Sequence, residues 1–356
     1  MHGVTAPPYR AAVEHARGTA NRRSRLADIA TQAGVSEATV SRVLNERPGV
    51  AEPTRQAVLT AVDVLGYDRP TRLRTTAVSL VGLVIPELTN PIFPAFAQEI
   101  EVSLAHRGFT PVLCTQSEGG IHEDEYVEML LDRGVAGIIY VSGQHADAGT
   151  SPDRYHRLRE RGLPIVLVNG FMEGVDAPFV SDDDVAAMDL AVTHLAQLGH
   201  ERVGLALGQE RFVPARRKVA GFRQSMDRHG LQVPHDHVVH TFFSVEGGAV
   251  AASDLIDRGV TAIVCGSDLM ALGAIRQART LGLDVPSDIS VVGYDDSPLV
   301  AFTDPPLTTI RQSVQAMCQA AVRALTDEIA GEASARGEFV FRPELVVRGS
   351  TGAVRA

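Results

Sequence analysis

The chain has 356 residues, 45% of them hydrophobic, no tryptophan and a formal net charge of -10. That length exceeds one small domain and predicts two or three, and the acidic balance excludes a protein coated in basic surface. The charge is uneven, with 11 Lys/Arg against 7 Asp/Glu in residues 1 to 76 and 22 against 36 in the rest, so a basic head that suits DNA precedes an acidic body.

Residues 1 to 24 are rich in Ala, Arg, Gly and Pro without periodicity and read as a disordered extension. They carry no apolar core of the kind a secretion signal needs. From Leu26 the pattern changes. Leu26, Ile29, Ala30 and Ala33 recur at helical spacing and give one apolar face. Gly34 supplies the left-handed angles of a sharp helix exit, Val35 plugs the corner, and Ser36 can cap a second helix. In that helix Val40, Val43 and Leu44 point one way. Ala38, Ser41, Arg42 and Asn45 point the other way, with Glu37 at the rim. A short polar face with one arginine fits the major groove, where arginine finds two acceptors on guanine. Residues 36 to 45 are thus the expected recognition helix of a helix-turn-helix, and the DNA-facing set is Ser36, Glu37, Ala38, Thr39, Ser41, Arg42 and Asn45. A third amphipathic helix within Val50 to Tyr67 turns Val58, Ala61, Val62 and Leu65 inward, completing a three-helix head over residues 25–68.

The stretches AGVSEATVSRVLN, VAEPTR and LGY resemble the head of the lactose-repressor (LacI/GalR) family of bacterial transcription regulators. The linker at 69–77, DRPTRLRTTA with its flanks, holds Arg69, Arg72 and Arg74 close together. The resemblance implies a hinge helix there that forms on the operator, with Leu73 as the apolar wedge of the minor groove. The linker is shorter than the family's usual pattern, which leaves a plain basic tether as the alternative.

From Ser79 strands and helices alternate. SLVGLVIP, TPVLCTQ, VAGIIYVS and LPIVLVNG read as strands, with helices between them in PIFPAFAQEIEVSLAHRG, HEDEYVEMLLDRG and SPDRYHRLRERG. Such alternation predicts a parallel sheet covered on both faces. The pattern restarts after residue 178. Helices in DDVAAMDLAVTHLAQLGH, ARRKVAGFRQSMDRHG, GGAVAASDLIDRG and DLMALGAIRQARTLG alternate with strands in RVGLALG, DHVVHTFF, TAIVCGS and ISVVGYDD. The fold class is therefore α/β, a helix-turn-helix head plus a periplasmic-binding-protein-like body of two doubly wound lobes over 78–352. The expected first lobe is about 78–178 and 309–331, the second about 179–308 and 338–352. In that division PPLTTIRQ crosses back, a helix from Val314 to Ile329 packs on the first lobe, and EFVFRPELVVRGST returns to the second. Ligands of such sheets bind beyond the carboxyl ends of strands.

The resemblance runs through VGLVIPELTNPIF, LGHERVGLALG, SDLMALGAIRQARTLGLDVPSDISVVGYDD and PLTTIRQ, covering roughly residues 25 to 352. It implies an effector pocket with Phe93 lining it, Arg216 holding the ligand's polar groups, Phe243 flanking the ligand and Asp295 accepting from its hydroxyls or amines. Ser267 stands where the family often has an asparagine before Asp268. Aromatic faces plus a carboxylate and a guanidinium suit a sugar.

Other constellations are set aside. Asp182, Asp183 and Asp184 read as acids complementing a helix start, and His235, His237 and His240 as a surface loop rather than a zinc site. Cys114, Cys265 and Cys318 are isolated and odd in number and read as buried thiols in a reducing cytosol. There is no G-x-S-x-G, P-loop or G-x-G-x-x-G, so no catalytic residue, cofactor or metal is expected. No apolar run approaches the ~20 residues of a membrane span. The expected protein is a cytoplasmic homodimer, since two heads match a pseudo-palindromic operator, most consistent with a repressor under control of a sugar or related metabolite. A solute-binding protein and an enzyme on the same lobes are the alternatives, the first opposed by the head and the second by the lack of a nucleophile and base.

Overall fold

The computed structural model describes residues 26–44, 50–65, 79–116, 122–332 and 336–355. The chain divides into two compact units, Met1–Val78 and Ser79–Ala356. The expected extension at 1–24 and the linker at 69–77, with Leu73, lie outside the described residues. Among the described residues no helix is long and apolar enough to cross a membrane.

In the head, α1 covers residues 26–33, α2 Glu37–Leu44 and α3 Glu52–Val64. Ile29, Ala30, Val40, Val43, Val58, Ala61 and Val62 close into its core, with Leu26, Ala33 and Val35 packed around them. The turn forms as its residues dictate. Gly34 sits at φ +65° with open space where a Cβ would point, a conformation that costs other residues steric strain. Ser36 Oγ accepts from the Thr39 backbone N–H at 3.2 Å, capping α2. One inward assignment fails: Leu65 is 44% exposed. Because α3 ends at Val64, Leu65 has left the helical period that carries Val58, Ala61 and Val62 inward.

Among its described residues the body holds two six-stranded sheets. In the first lobe β1 (Ser79–Ile85), β2 (Phe109–Thr115), β3 (Gly137–Val141), β4 (Ile165–Val168), β5 (Pro178–Asp182) and β11 (Gly337–Phe341) lie in the order β11-β5-β4-β3-β1-β2. In the second, β6 (Val203–Leu207), β7 (Val238–His240), β8 (Ala262–Cys265), β9 (Ser290–Asp295), β10 (Thr308–Arg311) and β12 (Glu344–Val346) lie in the order β12-β10-β9-β8-β6-β7. All pairings are parallel except β10 with β12. Such sheets must be covered on both faces. Helices α4 (Ile92–Ala105) and α11 (Val314–Ile329) cover one face of the first, burying Phe96, Ile100, Leu104, Met317 and Leu325. Helices α5 (Glu123–Asp132) and α6 (Asp153–Glu160) cover the other. On the second sheet α7 (Asp184–Gln197) and α8 (Val213–Arg228) lie opposite α9 (Val245–Asp257) and α10 (Asp268–Thr280). The α9–α10 seam is close because it is made at glycines. A Cβ on Gly248 would stand 2.1 Å from the Met270 carbonyl oxygen, and one on Gly273 only 1.9 Å from that of Val245.

The lobe boundaries differ from the sequence expectation in three places. PFVSD, read as the start of the second lobe, is β5 of the first sheet, paired with β4 and β11. Strand β10, read as crossing back, stays in the second sheet between β9 and β12. EFVFRPELV, read as one return to the second lobe, is two strands. Pro343 cannot continue a ladder, so Gly337–Phe341 pairs with β5 in the first lobe while Glu344–Val346 pairs with β10 in the second. The chain therefore crosses three times, near residues 183, 313 and 342, and the crossings are stitched together. The Asp183 N–H donates to the Phe341 carbonyl at 2.8 Å, and Ser313 Oγ donates to the Arg342 carbonyl at 3.0 Å.

Candidate functional site: a recognition face and an interlobe cleft

On the head, α2 keeps its apolar side in the core and leaves Ser36, Glu37, Ala38 and Arg42 exposed, with Thr39 and Ser41 half-buried. Asn45 lies outside the described residues. Sequence periodicity was enough to find this face, because a short helix with its cap and core residues is specified locally.

In the body, a cavity of about 270 Å³ opens between the lobes, where the strands of both sheets end. Phe93, Phe243, Ser267 and Asp295 line it. Phe243 reaches it because β6 and β8 run into Gly208 and Gly266. A Cβ on Gly208 would stand 2.0 Å from the Phe243 ring, and one on Gly266 would stand 3.1 Å from it. Ser267 caps α10, accepting from the Met270 N–H at 3.3 Å. Asp295 ends β9 at φ +115°. The other non-glycine residues with positive φ among those described are Ser142, Asn169 and Asp296. Ser142, Asn169 and Asp295 all line the cavity at the ends of β3, β4 and β9. Such backbone strain costs ~1–3 kcal/mol per residue and collects at functional sites. Asp296, beside them, is held by Arg311 Nε at 2.7 Å and Arg348 Nη2 at 2.6 Å.

Arg216 is not in the cavity. It is exposed, and its Nε donates to the Glu210 carbonyl at 2.9 Å. The cation that lines the cleft is Lys218, 5% exposed. The reason is helical phase. Ala215, Lys218, Gly221, Phe222, Ser225 and Met226 form the buried stripe of α8, and two residues advance a helix by ~200°. Arg216 therefore points away while Lys218 points in. The apolar period around Lys218 was the available sequence signal.

The acid triplet also does more than cap a helix. Asp183 alone is the N-cap of α7, accepting from the Ala186 N–H at 2.9 Å. Asp182 and Asp184 line the cleft. Lys218 Nζ is hydrogen-bonded to Asp184 Oδ1, and it also lies 4.0 Å from the Tyr294 ring centroid, an arrangement that favours a cation. The Tyr294 hydroxyl donates to Asp182 Oδ2 at 2.8 Å. Because β5 carries Asp182 and β9 carries Tyr294, that bond joins the lobes across the floor of the cleft. Burial raises the Asp182 carboxyl to about 7, against the lowering pull of Tyr294 and Lys218. Burial likewise raises Asp184, with Lys218 opposing it. Asp295 is raised well above the usual carboxylate range by burial and then by Asp268. Gln312 Nε2 donates to Asp295 Oδ1 at 2.7 Å. The second acid, Asp268, accepts from Thr309 Oγ1 at 2.6 Å and the Ser297 N–H at 2.7 Å.

Among the described lining residues, the buried Ser181 Oγ and Asp182 Oδ1 have no hydrogen-bond partner of good geometry, although the Ser313 backbone N–H lies near enough to help lower the Asp182 carboxyl. The cleft mouth is bridged separately. Asp147 and Phe212 form an isolated antiparallel bridge, the Ala148 N–H donates to the Arg211 carbonyl at 2.9 Å, and Arg211 Nε lies 3.4 Å from Asp147 Oδ2. The first-lobe side of this strap is anchored by Glu123, fully buried, which accepts from the Gln144 N–H at 3.0 Å, Arg154 Nη1 at 3.1 Å and the Tyr155 hydroxyl at 3.1 Å.

Comparison with known proteins agrees with both units. Residues 25–70 match the model of bacterial regulatory proteins of the lacI family, and residues 192–351 match a periplasmic binding protein-like domain. The HTH-type transcriptional regulator MalR of Streptomyces coelicolor is 64% identical over 332 residues, 92% of this chain and 96% of the relative. The HTH-type transcriptional regulator DegA of Bacillus subtilis is 31% identical over 333 residues, 92% of this chain and 98% of the relative. Among solved structures, a transcriptional regulator CelR–cellobiose complex superposes at a TM-score of 0.69 with 31% identity, covering 91% of this chain and 99% of that one. A lac repressor dimer bound to operator and the anti-inducer ONPF superposes at 0.69 with 29% identity, covering 92% and 98%. With a helix-turn-helix head, two doubly wound lobes and relatives of this likeness along nearly its whole length, the chain belongs to the LacI family of DNA-binding bacterial transcriptional regulators.

Proposed function

We propose that this regulator is a homodimeric repressor, acting in the cytoplasm, whose hold on a pseudo-palindromic operator is set by a sugar bound between its lobes. The observation that carries the effector part is the pair of orphaned oxygens, Ser181 Oγ and Asp182 Oδ1, in a wall that sets the rings of Phe93, Phe212, Phe243 and Tyr294 beside polar side chains. Buried polar atoms are costly unless something hydrogen-bonds to them, ~1–3 kcal/mol each. A ring with an apolar face and several hydroxyls satisfies both parts of that wall. A ligand touching Asp182 of the first lobe and Asp295 of the second favours the closed arrangement, and closure is what such a domain can pass to paired heads. Exposed Leu299 and Phe302 on the second lobe, at 74% and 86%, support a further chain contact. The CelR structure carries cellobiose, a relative's ligand that fits the same chemical class.

The test is selection of duplexes from a random library by the full chain, followed by operator binding with and without saccharides. Selection should return two inverted half-sites, and at least one saccharide should shift operator affinity by the ~1–3 kcal/mol usual for allosteric coupling. Binding without sequence preference, or operator affinity indifferent to every saccharide, would sink the reading.

Arg42 offers a sharper test on the head. It is exposed on α2, and in the groove it should reach a base edge. Arg42→Ala should cost ~1–3 kcal/mol on the selected operator and relax preference at one position per half-site. An equal loss on specific and random duplexes would make it a phosphate contact instead.

A further inference from the structure

We propose that the cleft accepts an uncharged saccharide and rejects its phosphorylated counterpart, with Asp182 as the discriminating side chain. This rests on the effector reading above and narrows it to a chemical class.

The wall carries the argument. Glu87, Asp182, Asp184 and Asp295 line the cavity, and among its described lining residues Lys218 is the one cation. That ammonium is committed, because it is hydrogen-bonded to Asp184 and packed on the Tyr294 ring. A phosphate therefore meets Glu87, an Asp184 already paired with Lys218, and the buried acids Asp182 and Asp295, with no uncommitted cation to neutralise it.

Helix N-termini are the other usual anion sites, through their free N–H groups and dipoles. Those of α4, α7 and α10 at this cleft are already occupied from within. At α4, Asn90 Oδ1 accepts from the Ile92 N–H at 3.3 Å. At α7, Asp183 caps the first turn and Asp184 adds a carboxylate to it. At α10, Ser267 caps and Asp268 adds another. Helix α8 starts at Val213–Pro214, and the proline removes a donor. What remains unpartnered is of the opposite kind. When ionised, Asp182 Oδ1 is an acceptor and never a donor, and it belongs to a side chain 4% exposed. A ligand hydroxyl can donate to it, whereas an ionised phosphate brings acceptors.

The size of the effect follows from Coulomb's law. At an effective dielectric of ~20, one carboxylate ~7 Å from a monoanion weakens its binding roughly 50-fold. Asp182 is the residue to alter, because it lines the cavity and its Oδ1 has no hydrogen-bond partner while its Oδ2 already accepts from Tyr294.

The experiment titrates the full-length protein with matched pairs: glucose and glucose 6-phosphate, maltose and its phosphate ester, cellobiose and its phosphate ester. It is run near pH 8, above the value of about 7 to which burial pushes Asp182. At least one neutral sugar should bind, and its ester should bind at least ~50-fold more weakly. In Asp182→Asn the ratio between the two members should shrink roughly tenfold or more, because one charge is gone while the side-chain shape remains. A merely structural or hydrogen-bonding Asp182 would weaken both members equally and leave the ratio unchanged, which overturns its role here. An ester that binds as well as its parent sugar overturns the proposal while leaving the effector reading standing. Failure of every sugar and every ester to bind removes both.

Discussion

Lys218→Ala is expected to destabilise the body by ~3–5 kcal/mol at neutral pH and to abolish the response to effector. The side chains of Lys218 and Asp184 are only 7% and 6% exposed, and removing one member of a buried pair leaves an uncompensated charge. Asp184 has little else to lean on. Besides Lys218 it has the Tyr294 hydroxyl at 3.4 Å, which already serves Asp182 at 2.8 Å, and the more distant charge of Arg217. The sign with pH is definite. Burial raises the Asp184 carboxyl and Lys218 opposes that rise, so without Lys218 the carboxyl titrates higher still. The deficit should shrink as pH falls and Asp184 takes up a proton. Urea unfolding of parent, Lys218→Ala, Asp184→Asn and the double variant measures this. The double variant should recover most of the loss. Additive single losses would show that the two groups do not depend on one another, and a Lys218→Ala loss below ~1 kcal/mol would place the pair among exposed ion pairs of little worth.

That pair also marks where the sequence was legible and where it was not. The head could be read almost in full, since Gly34, Ser36 and the apolar positions of α1 to α3 act within one or two turns of themselves. Among the described residues of the head, Leu65 was misplaced, past the end of α3. In the cleft, Phe93 in the first turn of α4 and Phe243, Ser267 and Asp295 at or just beyond strand ends all line the cavity. Arg216 and Lys218 are told apart only by helical phase, which the buried stripe of α8 fixes. The lobe crossings were harder. PFVSD is a five-residue strand whose last two residues, Ser181 and Asp182, face a cavity rather than a core, so neither alternation nor a continuous apolar run announces it. The strap from Asp147 to Phe212 depends on loops of two different lobes, and no local pattern specifies such a contact.

The second large effect is the pH dependence of stability at Asp182. Its carboxyl rises from 3.8 to about 7 in the fold, and burial is the main cause. A buried acid with a raised pKa binds its proton more tightly in the folded state than in the unfolded chain. Between about pH 4 and pH 7 the folded state holds that proton while the unfolded state has released it, so stability falls as pH rises through this window and levels off above it. A tenfold change in proton affinity corresponds to ~1.4 kcal/mol, so the full window spans at most ~4 kcal/mol. The neighbours on the packed elements set how large the effect is. Tyr294 and Lys218 stabilise the anion, whereas Asp184 opposes it. Asp182→Asn cannot titrate, yet its amide oxygen can still accept from Tyr294, so the variant should lose less stability than the parent on going from about pH 5 to pH 7.5. The comparison of slopes matters more than either absolute value, because the new amide brings hydrogen-bonding costs of its own. A bound sugar whose hydroxyl donates to Asp182 Oδ1 favours the ionised carboxylate and should flatten the parent's slope toward that of the variant. Thermal unfolding across this pH range, with and without a saccharide that binds, reads both effects. Parallel slopes for parent and variant would mean that Asp182 is ionised throughout, and the cleft would then be wetter than its 4% exposure implies.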